Sequence, residues 1–289
     1  MKTPPSTIFP HLDRAETALK NKIRREEAQY GRNGKAPDSL WNHVLRVARL
    51  AQRLGVSEGV DPLACRLAGI FHDAGKFRGG AYHHDDRPEE EWSVTTLREI
   101  TGNLGFEPSL IEQVEDAILQ LYRNDPEPTP LTRILFDADN LDKLGRLGVA
   151  NYFIKEGLRG RGISASMLYR ITIELTYARH APHCLATATG RQMAAARAPE
   201  TREFFSYFLD SIRQDGLYDF IIEEVDFNNL TIDVVAPRAC ECGNPIARRI
   251  WEIPGIKCSE IHLEHSCTGC SSVHELKFCR PRLAGQAGC

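Results

Sequence analysis

Cysteine is nearly missing from the first 238 of the chain's 289 residues: Cys65 and Cys184 are there, and seven more follow Ala239. An odd thiol count without a secretion signal argues against a disulfide framework. No apolar run approaches the ~20 residues that span a bilayer. Met1 to Pro10 is proline-rich with no apolar h-region, so no signal peptide is expected. The expectation is a cytoplasmic protein with no membrane partner. Charge of one sign is lacking too: 36 basic against 39 acidic residues leave a formal net charge of -3. With no long block of like charge, nothing indicates a nucleic-acid partner. Internal repeats and low-complexity tracts are absent. What remains, 42% hydrophobic and 26% charged, is ordinary globular material, long for one domain and short for three.

Helical periodicity dominates what is there. A helix is expected from Leu12 to about Gln29, the charges at Lys20, Lys22, Arg24, Arg25, Glu16, Glu26 and Glu27 forming a solvated face. Asp38 or Ser39 caps the next, in which Trp41, Val44, Leu45, Ala48, Ala51 and Leu54 repeat at helical spacing and Gly55 is the stop. Asp61-Pro62 opens a helix so apolar, from Leu63 to Phe71, that it must be central and buried. Further helices are expected at about Trp92 to Thr101, Leu110 to Tyr122, from Leu131, Ala165 to Tyr177 and Thr189 to Gln214. The texture then changes, with Leu230 to Val235 reading as a strand. The expected division is an N-terminal extension (1–37), a helical domain (38–215), a linker with one strand (216–238) and a cysteine-rich module (239–289). The fold class is mainly α: a helical bundle with a small C-terminal β-rich, metal-binding module.

The buried helix ends in His72-Asp73-Ala74-Gly75-Lys76, an imidazole beside a carboxylate at the end of an apolar segment. Such groups are costly there unless something compensates them, and a cation does so economically. His43 lies on the same helical stripe as Val47, Leu50 and Leu54 and so projects toward a core. Asp137, Asp139 and Asp142 interrupt the helix after Leu131. Asp139 and Asp142 lean the same way, while Asp137 is about 200° from Asp139, so one metal can use Asp137 or Asp139 but not readily both. Two imidazoles and two carboxylates suit a divalent transition ion: Mn, Fe, Co, Ni or Zn.

In this order, His43, His72-Asp73-Ala74-Gly75-Lys76 and Asp137-Ala138-Asp139-Asn140-Leu141-Asp142-Lys143-Leu144-Gly145 resemble the HD-domain metal-dependent phosphohydrolases over about residues 38–215. The resemblance implies an all-α domain with ligands at His43, His72, Asp73 and Asp139. It also implies hydrolysis of a phosphate ester or anhydride, in a nucleotide or other small phosphorylated metabolite, by a metal-bound water. Asp142 would orient a ligand or water. Lys76, Arg46, Arg159 and Arg161 would neutralise substrate charge, and His83 and His84 offer further substrate contacts. The later helix lacks the extra histidine of many relatives, which favours one metal over two. Lys76 stands where the nucleotidase branch has a Glu, leaving the proton-handling residue unassigned. The alternatives are a di-iron oxygenase on the same scaffold and a non-catalytic nucleotide-binding sensor or adaptor.

In the tail, Cys240-Glu241-Cys242 and Cys267-Thr268-Gly269-Cys270 form two thiolate pairs separated by short alternating segments. This resembles a zinc ribbon, in which four thiolates close a structural site. A module so small needs the ion's binding energy to fold. Cys258, Cys279, Cys289, His262, His265 and His274 are spare candidate ligands. The sequence names no protein partner for the tail.

Overall fold

The computed structural model describes residues 10–30, 38–81, 87–121, 123, 127–255 and 258–281. It is mainly α with a β-rich C-terminal region, and it divides into two compact units, residues 1–121 with 127–139, and 122–126 with 140–289. Among the described residues no helix is long and apolar enough to cross a membrane.

The first unit contains α1 (Pro10–Tyr30), α2 (Ser39–Glu58), α3 (Pro62–Phe71), α4 (Glu89–Thr101), α5 (Pro108–Gln120) and most of α6 (Pro130–Leu141). α3 is central, as its composition predicts: every residue from Leu67 to Phe71 is buried, and α1, α2, α4 and α5 pack around it. Gly69 brings α3 against α2, where a Cβ would lie 2.4 Å from the Ala48 Cα. The two histidine-bearing segments are therefore held at backbone contact.

Three expectations for this unit are corrected. Asp38 precedes α2 but makes no side-chain cap; its carboxylate is taken by Arg24, with Nε to Oδ1 at 2.5 Å. The free N–H groups of α2 are met instead by Glu27, whose Oε1 accepts from Leu40 N at 3.1 Å. Glu26 and Glu27 are thus buried, and only part of the expected solvated face of α1 is solvated. Gly55 does not stop α2, which runs on to Glu58 and ends at Gly59 with φ 73°, a conformation that favours glycine.

The second unit contains α7 (Gly145–Leu158), α8 (Ala165–Cys184), α9 (Ala188–Gln214), the hairpin of β1 (Phe220–Phe227) with β2 (Leu230–Pro237), and an antiparallel sheet of β3 (Ile246–Ile253), β4 (Glu260–Cys267) and β5 (Val273–Cys279) in the order β3-β4-β5. Two strands therefore occupy 216–238, where one was expected. The turn is Asn228-Asn229, both at positive φ (47° and 61°), which matches the twist of a tight hairpin. Charges at Glu223, Glu224 and Asp226 blur the apolar pattern of β1. β2 is also held by α8, whose Thr172 and Thr176 hydroxyls accept from Val235 N at 2.9 Å and Asp233 N at 3.1 Å. Leu168 and Ile171 of α8, Phe205 of α9, Val234 of β2, Leu263 of β4 and Phe278 of β5 share one hydrophobic core.

Candidate metal centre

α2 presents His43, the turn after α3 presents His72 and Asp73, and α6 presents Asp139. All four belong to the first unit. His43 Nε2 lies 3.5 Å from Asp73 Oδ2 and 3.3 Å from Asp139 Oδ1. His72 Nε2 lies 3.5 Å from Asp73 Oδ1 and 3.8 Å from Asp139 Oδ1. Atoms that share an ion through bonds of about 2.1 Å sit at roughly such separations. Sequence arithmetic left Asp137 and Asp139 open; the structure brings Asp139 to the histidines.

The chemistry of the donor set can be tested at His72. Its Nδ1 is 2.8 Å from the Gly69 carbonyl, an acceptor, so Nδ1 carries the proton and Nε2 keeps its lone pair. Nε2 is buried and, among the described residues, has no hydrogen-bond partner. Its neighbours are carboxylate oxygens, so lone pairs face lone pairs across the centre of the site. A cation resolves that conflict, and the residues present fit one.

Lys76 Nζ donates to Asp73 Oδ2 at 2.5 Å. Burial opposes ionisation of Asp73, yet the charge on Lys76, the strongest of the opposing influences, helps to hold the carboxyl well below the usual range. Glu89, at the start of α4, lies 3.7 Å from Lys76 Nζ and is hydrogen-bonded to Asp73. Burial pushes its pKa up to about 7, against the pull of Lys76. Sequence reasoning missed this residue because Glu89-Glu90-Glu91 looks like loop, although an acidic run after Pro88 is also a helix-start signal. Arg46 sits one turn beyond His43 on α2, half-buried. Asp142 is buried just past α6 and accepts from Asn151 at 3.5 Å. Arg161 and Arg159 pair with the buried Glu156, Arg159 at 3.4 Å. Asp142, Arg159 and Arg161 all belong to the second unit. His83 and His84 lie outside the described residues.

Residues 40–144 match the HD domain family. This segment is similar to an HD domain. His43, His72-Asp73 and Asp139 all fall inside it, and His43, His72 and Asp73 form a group that could hold a metal ion. The fold also resembles Bacillus subtilis YpgQ. With ADP, that protein is 20% identical over 71% of this chain and 95% of its own, with a TM-score of 0.51. A structure of YpgQ alone gives 19%, 70%, 96% and 0.53. A predicted HD superfamily hydrolase from an uncultured Thermotogales bacterium gives 21%, 70%, 92% and 0.49. Identities this low show the fold. No curated protein matches the chain.

A second metal-sized cluster lies in the tail. Cys240, Cys242, Cys267 and Cys270 place their sulfurs within 4.8 Å of one another, with Cys240–Cys270 at 3.6 Å and Cys242–Cys267 at 3.3 Å. Four bonds of about 2.3 Å in a tetrahedron give sulfurs about 3.8 Å apart. Asn244 Nδ2 donates to Cys242 at 3.3 Å and holds that thiol down to about 6, while Gly269 N donates to Cys267 at 3.3 Å. This fits a zinc-ribbon-like tail. Two spare ligands are corrected: Cys258 and Cys279 form a disulfide with each other, Cα to Cα 5.8 Å. The register puts Glu260 opposite Cys279, so Cys258 arrives beside its partner as β4 begins. Cys289 lies outside the described residues.

Proposed function

We propose that the HD domain is a cytoplasmic metal-dependent phosphohydrolase acting on a nucleotide or another small phosphorylated metabolite. His43, His72, Asp73 and Asp139 would hold one divalent transition ion, Mn, Co, Ni, Fe or Zn. The observation that carries this is the lone pair of His72 Nε2, fixed by the Gly69 carbonyl and aimed among carboxylates. Such an ion, when bound, acidifies water and offsets charge on a phosphoryl group. The chain's own residues do the rest. Burial of His72 and Asp139 keeps bulk water from the ligand side. Lys76, anchored on Asp73, sets a positive charge at the rim, and Arg46 is a second cation within a turn of a ligand. Glu89 is a carboxyl beside Lys76 placed to hold a proton, the role that sequence left unassigned. ADP in the YpgQ structure supports a nucleotide as the first substrate class to try. In the tail, zinc on the four cysteines would be structural.

The test is a panel of nucleotides and phosphate esters run against a metal series, with metal content measured on the same sample. Turnover should require added metal, disappear on chelation, and be abolished by His72→Ala and by Asp73→Ala. Full activity in either variant would remove the site.

A further inference from the structure

The second unit holds a cavity of about 570 Å³ beside the cysteine cluster, between α8, the start of β1 and the knuckle loops. Three rings turn successive corners along its wall. Tyr169 meets Phe220 at 5.3 Å and 77°, and Phe220 meets Tyr218 at 6.0 Å and 89°. The carboxylates on the wall are Asp219 and Glu241, and among the described residues no Lys or Arg lines it. The arginines just outside are engaged: Arg238 pairs with Asp219 at 3.3 Å, and Arg248 pairs with Glu223. Arg248 Nε also donates to His265 Nε2 at 3.1 Å, so that ring nitrogen is an acceptor and the imidazole is neutral. Tyr169 is only 4% exposed, and among the described residues its hydroxyl has no hydrogen-bond partner. A buried hydroxyl left unpaired is costly, and a ligand donor would satisfy it.

We propose that this cavity binds a small organic ammonium ion. Tyr169 stacks on His274 at 4.6 Å, so Phe220 and Tyr218 are the rings left to attract such a cation through their quadrupoles, most strongly where water is excluded. Glu241 adds charge, Asp219 being shared with Arg238, and the Tyr169 oxygen can accept from a ligand donor such as the hydroxyl of choline. A phosphate-bearing ligand would meet carboxylates and sulfurs instead, so this site is chemically distinct from the HD centre. The further negative charge of four thiolates around a divalent ion rests on the zinc reading above; the rings and carboxylates do not.

Calorimetric titration of the full zinc-loaded chain with choline, and with its neutral isostere dimethylbutanol, tests the idea. Choline should bind about tenfold tighter than the alcohol. Glu241→Gln, an exposed change, should weaken choline several-fold, and Tyr218→Leu should erase the preference for the cation. His72→Ala should leave both affinities unchanged. Equal affinity for the two isosteres, tighter binding of inorganic phosphate, no saturable binding, or a preference that survives both wall variants overturns the proposal. Zinc content separates the two readings. Cation binding by zinc-free protein removes the zinc reading alone, and zinc without cation preference removes the cavity proposal alone.

Discussion

His72 is buried and His180 half-buried, each with a backbone carbonyl as partner, yet they do opposite work. At His72 the carbonyl of Gly69 takes the Nδ1 proton and leaves a bare lone pair for a metal. At His180 it is Nε2 that lies 2.7 Å from the Thr231 carbonyl, tying α8 to the edge of β2. Burial of His180 depresses its pKa, outweighing that hydrogen bond. The consequence for stability has a definite sign. An unfolded histidine takes up its proton near pH 6.5, where the folded one still resists it. His180 therefore contributes stability that is present above that pH and lost as the pH falls below it. The urea midpoint of the native chain should drop more steeply between pH 7 and pH 5 than that of His180→Gln. Parallel slopes would show that the ring pays no burial cost. At this scale the sequence identified residue types better than partners. His43 and His72-Asp73 stood out because apolar helices cannot bury such groups idly, whereas the choice of Asp139 over Asp137 came from the family resemblance. Glu27 and Glu89 were not, because their partners, the start of α2 and the Lys76–Asp73 pair, are distant in the chain.

Among the elements, the pairing of α2 with α3 carries the candidate metal centre, and one glycine sets its spacing. A methyl group at residue 69 would meet the Ala48 Cα at 2.4 Å and the Ala48 N at 2.8 Å. Backbone cannot yield as a flexible side chain does, so the helices must separate. Gly69→Ala should cost about 1–3 kcal/mol in chemical unfolding, the usual range for overpacking. It should also weaken metal binding, because His43 and His72 sit on the elements that are forced apart. Calorimetric metal titration of the variant reads this directly, and a native metal affinity would mean that the site absorbs the shift. The close packing was foreshadowed by the apolar run of α3, but not the contact itself, since Gly69 looked like one more small residue in that run. The β1–β2 hairpin was half legible. Leu230 to Val235 stood out as a strand, while the acidic residues of β1 hid its partner. The Asn228-Asn229 turn was the available signal, because asparagine tolerates the positive φ that a tight hairpin demands.

For the molecule as a whole, the sequence suggested a helical domain with a small appendage that needs a metal in order to fold. The change in texture after Gly216 marked where helices give way to strands. It did not mark a boundary of packing, because hydrophobic side chains on both sides of it converge. Ile261, Leu263, Leu276 and Phe278 of the tail are buried in the same core as Leu168, Ile171 and Leu175 of α8 and Phe205 of α9. A pattern of alternating residues says which face is apolar, not what it meets. The tail therefore draws stability from two sources, the shared core and, on the zinc reading, the four-cysteine cluster at one end of its sheet. Removing the metal should loosen the turns at Cys240–Cys242 and Cys267–Cys270 first. Because β4 and β5 lead from that cluster into the core, the loss should spread to α8. Hydrogen exchange on the full chain, before and after stripping the thiolate-bound metal with a chelator, separates the possibilities. Protection should fall in β3, β4 and β5, fall by a smaller amount in α8 and β2, and return when zinc is restored. Were the tail a separate appendage, its strands would exchange freely while α8 kept its full protection. Were the cysteines unliganded thiols, chelation would change neither.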